Sequence, residues 1–319
     1  KALSNHYLST RNLQSLSTLL KVNDTIVSRA EEVGSDYACS FSALLGEELD
    51  AIRGLYRSLC ARPIAQCLIP GGTNAAIKSE KKEIENLGMI VQDAVRSRAY
   101  VQGLLKVGYK PHSAIVLGEN TFVDRGLEKA VVGDDYFDPH ELFIETVRRE
   151  NIPYRLISAT GFNDLNVIRS LQQSEEEYLI FSGSGILKEG ILSCGKKLIH
   201  VHPGRLPDFR GSTTFLYSLL AEGKCAATGF IMNTRIDTGD IIASREFLPP
   251  DSEVDISRIY DPYIRSQVLV DVVTLLAENG SLSGEHQRPG GETYYIIHPV
   301  LRTLAIGYQR GELRAFEGL

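Results

Sequence analysis

The sequence predicts an α/β fold: a mainly parallel sheet flanked by helices, preceded by a helical N-terminal module. Three observations predict it. Residues 1–110 carry apolar residues at helical spacing. From residue 111 short apolar runs alternate with amphipathic stretches. The apolar run Lys197–Val201 then carries two imidazoles and breaks at Pro203-Gly204. Strands alternating with helical segments imply parallel pairing, because a parallel crossover is normally a helix. Three units follow: 1–110 as the helical module, 111–250 as the core, and 251–319 as a C-terminal helix and β-rich extension.

In the first unit, Leu13, Leu16, Leu19 and Leu20 recur at helical spacing, as do Leu44, Leu45, Leu49 and Ile52. Pro70-Gly71-Gly72-Thr73-Asn74 is a strong breaker. The charged stretch Lys78–Glu85 leads into an expected helix over Ile90–Val107, closed by Gly108. No chemistry is evident there, and packing or oligomerisation is the expected role. In the core, Ser113–Leu117 reads as a strand and Pro139–Glu150 as an amphipathic helix with Pro139 in its first turn. Tyr154–Ser158 is a strand, and Asn163 or Asp164 caps a helix running through Leu171. Tyr178–Phe181 is a strand, Leu187–Cys194 a short helix, and Leu198–Val201 the strand bearing the histidines. In the last unit Ser257–Ala277 reads as a long helix whose start Pro262 bends or resets. Gly280–Gly291 is a loop, and Thr293–Ile297 is β-rich.

Composition narrows the class. The chain has 319 residues, 43% hydrophobic and 23% charged, with a formal net charge of −6. That is globular composition with room for about two domains. No apolar run approaches the roughly 18–20 residues of a membrane span. The start, Lys1-Ala2-Leu3, lacks an apolar signal core. The cysteines (Cys39, Cys60, Cys67, Cys194, Cys225) form no CxxC pair and read as reduced, structural thiols of a cytoplasmic protein. The acidic balance and the lack of a Lys/Arg cluster argue against nucleic acid as a partner.

The chemistry concentrates at strand ends, where parallel sheets bind ligands. Side chains alternate along a strand, so His200 and His202 leave it on one face. Asp237 lies in an acidic turn, Ile236-Asp237-Thr238-Gly239-Asp240. Two imidazoles and a carboxylate suit an acid/base set. They suit a zinc site equally well. Ser182-Gly183-Ser184-Gly185 is a small-residue turn at another strand end, and Gly118-Glu119-Asn120 reads as a plain turn.

The run His202-Pro203-Gly204-Arg205-Leu206-Pro207-Asp208-Phe209-Arg210-Gly211, then Thr228-Gly229, then Ile236–Ile242 resembles the 10-formyltetrahydrofolate-dependent formyltransferases. That family includes glycinamide ribonucleotide, methionyl-tRNA and amino-sugar N-formyltransferases. The resemblance covers roughly residues 111–250, and Arg210–Thr214 with Tyr295–Leu301 look most like members associated with surface polysaccharides. It implies a Rossmann-like core and transfer of a formyl group to a primary amine of a small molecule, such as a nucleotide-linked amino sugar. It implies catalytic roles for His202 and Asp237, with His200 standing where most members have Asn. A histidine N–H can donate to an oxyanion as an amide does, and two imidazoles with one carboxylate are expected to titrate as a coupled set. The resemblance further implies that Phe181, Ser182, Gly183, Ser184, Gly185, Ile186 and Leu187 cradle the pterin. Gly204, Arg205 and Arg210 are expected to face the acceptor, and no metal is required. Methionyl-tRNA is not expected as acceptor, because relatives that use it carry a further C-terminal RNA-binding barrel and the 79 residues after Asp240 hold no basic patch to neutralise phosphate. The alternatives are a metal-dependent hydrolase built on His200, His202 and Asp237, or a non-catalytic folate- or nucleotide-binding protein of the same fold.

Overall fold

The computed structural model describes residues 81–118, 126–130 and 136–311. The expected helices around Leu13–Leu20 and Leu44–Ile52, the breaker at 70–74 and the turn residues Glu119 and Asn120 lie outside the described residues. The described chain runs β1 (Lys82–Val91), α1 (Val95–Lys106), β2 (Tyr109–Leu117), α2 (Phe143–Arg149), β3 (Tyr154–Ile157) and α3 (Leu165–Gln172). Then come β4 (Tyr178–Ser182), α4 (Glu189–Leu192), β5 (Lys197–His202), β6 (Phe209–Gly211), α5 (Thr214–Glu222), β7 (Cys225–Ile231) and β8 (Ile241–Phe247). A π-helical turn (Ile256–Tyr260) leads into α6 (Asp261–Asn279), β9 (Glu292–Tyr294) and α7 (Pro299–Gln309).

Seven strands form one sheet in the order β3-β2-β1-β4-β5-β7-β8. β3, β2, β1, β4 and β5 pair in parallel, and β7 and β8 add antiparallel. A parallel strand buried on both faces reads as an unbroken apolar run, and all five residues of β4 are buried. The side-chain alternation separates two cores. Met89, Val91, Ile180, Ile199 and Val201 face α1 and α6, packing on Leu104, Val268 and Val272. Ile90, Leu179, Phe181 and Leu198 face the other way, onto Val167, Leu171 and Ile191 of α3 and α4. A third core joins α5, α7 and the small β6–β9 ribbon.

Two expectations are corrected. The helix expected over Ile90–Val107 is instead the end of strand β1 followed by α1. The boundary expected at residue 110 falls inside β2, so residues 82–108 belong to the sheet and its flanking helix. Charges in the exposed first half of β1 mask the buried run Leu87–Val91. Gly88 lets β1 approach β4 closely, since a β-carbon there would lie 2.8 Å from Leu179 Cδ2. β1 sits at the topological switch point, where chain order runs outward on both sides and a crevice opens.

The helix expected from Pro139 starts only at Phe143. The Pro139 carbonyl accepts from buried Arg98 Nη1 at 2.7 Å, which anchors it as loop. Arg98 Nε also donates to buried Asp93 at 2.7 Å, fixing the turn between β1 and α1. The strands expected at 113–117, 154–158, 178–181 and 198–201 are β2, β3, β4 and β5, within a few residues at their ends. β6, β7 and β8 carried no expectation, and the β-rich stretch expected at 293–297 narrows to β9. Asp164 caps α3 by accepting from Asn166 N, and Pro262 lies in the first turn of α6. Among the described residues, no helix is long and apolar enough to cross a membrane.

Candidate active site

β5 presents His200 and His202 on the face it shares with Leu198, as the period of two requires. His202 is 1% exposed. Its Nε2 lies 2.7 Å from the Phe209 carbonyl and 3.1 Å from Thr214 Oγ1. The Thr214 hydroxyl donates to the Pro203 carbonyl at 2.5 Å, so it accepts from His202. Two acceptors at Nε2 fix the proton there and turn Nδ1 towards Asp237 Oδ2, 3.5 Å away. Burial lowers the His202 pKa, while the Asp237 charge works against that shift.

Asp237 reaches this point by an indirect route. β7 runs antiparallel to β5 and ends at Ile231 opposite Ile199, away from the tip of β5. The connection to β8 folds back, and Asp237 takes the left-handed backbone region at φ 53°. Its Oδ2 accepts from Gly211 N at 2.9 Å. The expectation that this carboxylate stands at a parallel strand's end is therefore corrected, although its pairing with His202 holds.

His200 sits between the rings of Phe181 and Phe230, at centroid distances of 5.8 and 5.7 Å. Its Nδ1 is buried without a protein partner. Burial, reinforced by the Arg265, Arg96 and His202 charges, holds its pKa well below 6.5, against a backbone hydrogen bond at Phe181. His200 is therefore neutral at neutral pH, and the His202 charge is one of the causes of its shift.

The segment after β4 divides by burial. Phe181 and Ser182 are buried, and Leu187 packs into the core beside α3 and α4. Gly183 takes the edge of Phe162, where a β-carbon would come within 2.0 Å, and Gly185 turns at φ 87° with open space beside it. Ile186 is 69% exposed, an apolar side chain left at the rim. Ser184 Oγ donates to Gln92 Oε1 at 2.9 Å, and Asn163 bonds the Ile186 carbonyl and Lys188 N.

A cavity of about 520 Å³ opens at the β1/β4 switch point, lined among others by Gln92, Arg96, Gly183, Ser184, Asp261 and Arg265. Arg96 donates to Ser182 Oγ at 3.2 Å and to the Gly183 carbonyl. Its guanidinium is held down to about 10, chiefly by burial and next by the Arg265 charge. Arg265 donates to the Val201 carbonyl, between the two histidines, and to Asp261. Arg265 Nη2 and Asp261 Oδ1 are buried and unpartnered. Sequence reading missed Gln92, Arg96, Asp261 and Arg265. The misassigned β1 hid the first two, and charged residues on a long helix read as solvated.

The residues expected to face the acceptor take part in the loop's own hydrogen bonds, and buried Arg210 Nε has no protein partner. Arg205 donates to Asp208, Glu222 and Glu246 at 3.0, 2.6 and 2.5 Å, one bond from each guanidinium nitrogen. Arg210 donates to the Gly290 carbonyl and Gln287. Gly204 is buried, and a β-carbon there would meet Thr214 Oγ1 at 2.7 Å. All three hold the loop together. Among the described residues, no three His, Cys, Asp or Glu side chains group as a metal site. Cys194 and Cys225 are buried free thiols.

No family profile matches the chain. A methionyl-tRNA formyltransferase of Finegoldia magna is 28% identical over 109 residues, 33% of this chain. The match spans 35% of that protein's length. Among solved structures, a sugar N-formyltransferase of a Shewanella species covers 70% of this chain and 87% of its own at 14% identity and TM-score 0.46. Glycinamide ribonucleotide transformylase 1 of Symbiobacterium toebii covers 68% and 98% at 16% identity and TM-score 0.46. An N-formyltransferase of Helicobacter canadensis, complexed with folinic acid and dTDP-3-aminofucose, covers 66% and 71% at 16% identity and TM-score 0.44. These proteins are formyltransferases by name.

Proposed function

We propose that this chain is a cytoplasmic N-formyltransferase that moves a formyl group from 10-formyltetrahydrofolate to a primary amine on a small molecule, such as a nucleotide-linked amino sugar. The observation that carries the reading is the buried His202–Asp237 pair beside a neutral His200 whose Nδ1 lacks a partner. When bound, 10-formyltetrahydrofolate supplies the formyl carbonyl. The residues present fit it. Phe181–Leu187 offer a turn with open space at Gly185 and an exposed apolar Ile186, while Ile236 stands 55% exposed next to Asp237.

The geometry supports the following roles. Neutral His200 has a single ring N–H, which is assigned to the carbonyl oxygen as charge develops there, as an oxyanion donor is. His202 carries a proton on Nε2, so Nδ1 and the Asp237 carboxylate both present lone pairs across 3.5 Å. That pair takes up the proton released by the attacking amine, and the Asp237 charge stabilises the imidazolium so formed. The cavity at the switch point, with Asp261 Oδ1 and Arg265 Nη2 unsatisfied, offers the acceptor a carboxylate and a guanidinium.

Calorimetric titration with 5-formyltetrahydrofolate, a stable analogue of the donor, tests the reading. Saturable one-site binding that weakens when Ile186 is changed to Asp is expected. Lack of folate binding, with a divalent metal bound through His200, His202 and Asp237, would replace it with the hydrolase alternative.

A further inference from the structure

We propose that Gln287 is a positioning residue of this site: its side-chain amide, oriented by Arg210, holds the 237–239 turn so that the Asp237 carboxylate stays against His202. This deepens the formyl-transfer reading and rests on it for its kinetic consequence.

The turn needs an external holder. Asp237 is a non-glycine residue in the left-handed backbone region, a conformation that persists only where its surroundings impose it. The turn also lies hard on β7, since a β-carbon at Gly239 would fall 1.7 Å from the Ile231 carbonyl. Gln287 meets the need with both amide protons. Nε2 donates to the Asp237 carbonyl at 3.0 Å and to the Gly239 carbonyl at 2.8 Å. The assignment of the amide is fixed from the other side, because Oε1 accepts from Arg210 Nη2 at 3.3 Å. Arg210 is anchored in turn through Nη1 on the Gly290 carbonyl.

Gln287 is 8% exposed, so water does not take over these bonds. It comes from the loop after α6, which pairs back on β8 through reciprocal Glu285 and Ile241 hydrogen bonds. The C-terminal extension thus reaches across and clasps the loop that bears the proposed catalytic carboxylate. Among the described residues, the Asp237 carboxylate itself accepts from Gly211 N, and Thr238 Oγ1 donates to Asn233 Oδ1 within the turn.

The test is Gln287→Met, which keeps the side chain's size but removes both donors without adding a charge near His202. Two readouts are compared with the native chain: the titration of His202 by NMR of ring-labelled histidine, and steady-state formyl transfer. The charged groups facing His202 are Asp237 and Asp261, which raise its pKa, and Arg265, which lowers it. Loss of the Asp237 contribution therefore moves the His202 midpoint to lower pH. Transfer should lose kcat by about 10- to 100-fold, as for a displaced reacting group, while both KM values stay within about threefold.

If Gln287→Met does not fold, the same comparisons are made on Arg210→Lys, which leaves Gln287 in place but removes the planar fork that orients it. An unchanged His202 midpoint in a folded variant overturns the proposal, whether or not kcat falls. If the native chain transfers no formyl group, the titration alone decides the positioning role, and the functional reading fails separately.

Discussion

His202→Ala and Asp237→Ala are each expected to lower kcat by roughly 100-fold or more while the fold survives, as for loss of a general acid/base group. That factor corresponds to about 2.7 kcal/mol of transition-state free energy. The two residues act as one proton-holding unit, so their effects should not add. The double variant is expected to be about as slow as the slower single variant. His202→Ala opens a small space next to Phe209 and Thr214, and far-ultraviolet circular dichroism with thermal melting checks that the sheet persists. Steady-state rates on the true acceptor read the effect. Near-normal turnover in either single variant would remove that residue from the mechanism.

His200 carries the second large effect. His200→Ala removes the proposed donor to the developing oxyanion and is expected to cost on the order of 10²-fold in kcat. His200→Asn places an amide donor nearby and should retain much of the activity. Because burial and three neighbouring charges already keep His200 neutral, the Asn variant should leave the pH–rate profile unchanged above about pH 6.

Stability should respond to pH instead. A folded-state pKa well below the ordinary histidine value of 6.5 means that the unfolded chain takes up a proton which folded His200 refuses. Its stability contribution is full above the unfolded value and is lost as pH falls below it. His202 is depressed too and adds to the same acid limb. Melting curves between about pH 5 and 8 should therefore show a shallower acid loss for His200→Asn than for the native chain. A steeper loss, or equal inactivity of the folded Asn and Ala variants, would contradict the neutral-donor role.

How much of this was legible in the sequence depends on where the partners lie. β4 and β5 were legible because strands buried on both faces must be apolar throughout. β1 was not, because its charged first half extends beyond the buried part of the sheet and its apolar end runs into a helix. The His202–Asp237 pairing was read from the motif. The path that makes it, an antiparallel β7 and a folded-back loop, was not. Arg205 looked like an anion site because its carboxylates, Glu222 and Glu246, come from α5 and β8. Gln287 and Arg265 carried no signal for the same reason: their bonds to Asp237 and Val201 span 50 and 64 residues.

The central claim, folate-dependent formyl transfer, is tested most directly by following 10-formyltetrahydrofolate consumption with a panel of amines. Nucleotide-linked amino sugars, free amino sugars, amino acids and methionyl-tRNA each serve as acceptor, with products identified by mass spectrometry. The account predicts consumption that requires an amine, yields an N-formylated small molecule and vanishes in Asp237→Ala. Tight folate binding without transfer to any of these amines, or transfer that persists undiminished in Asp237→Ala, would contradict it.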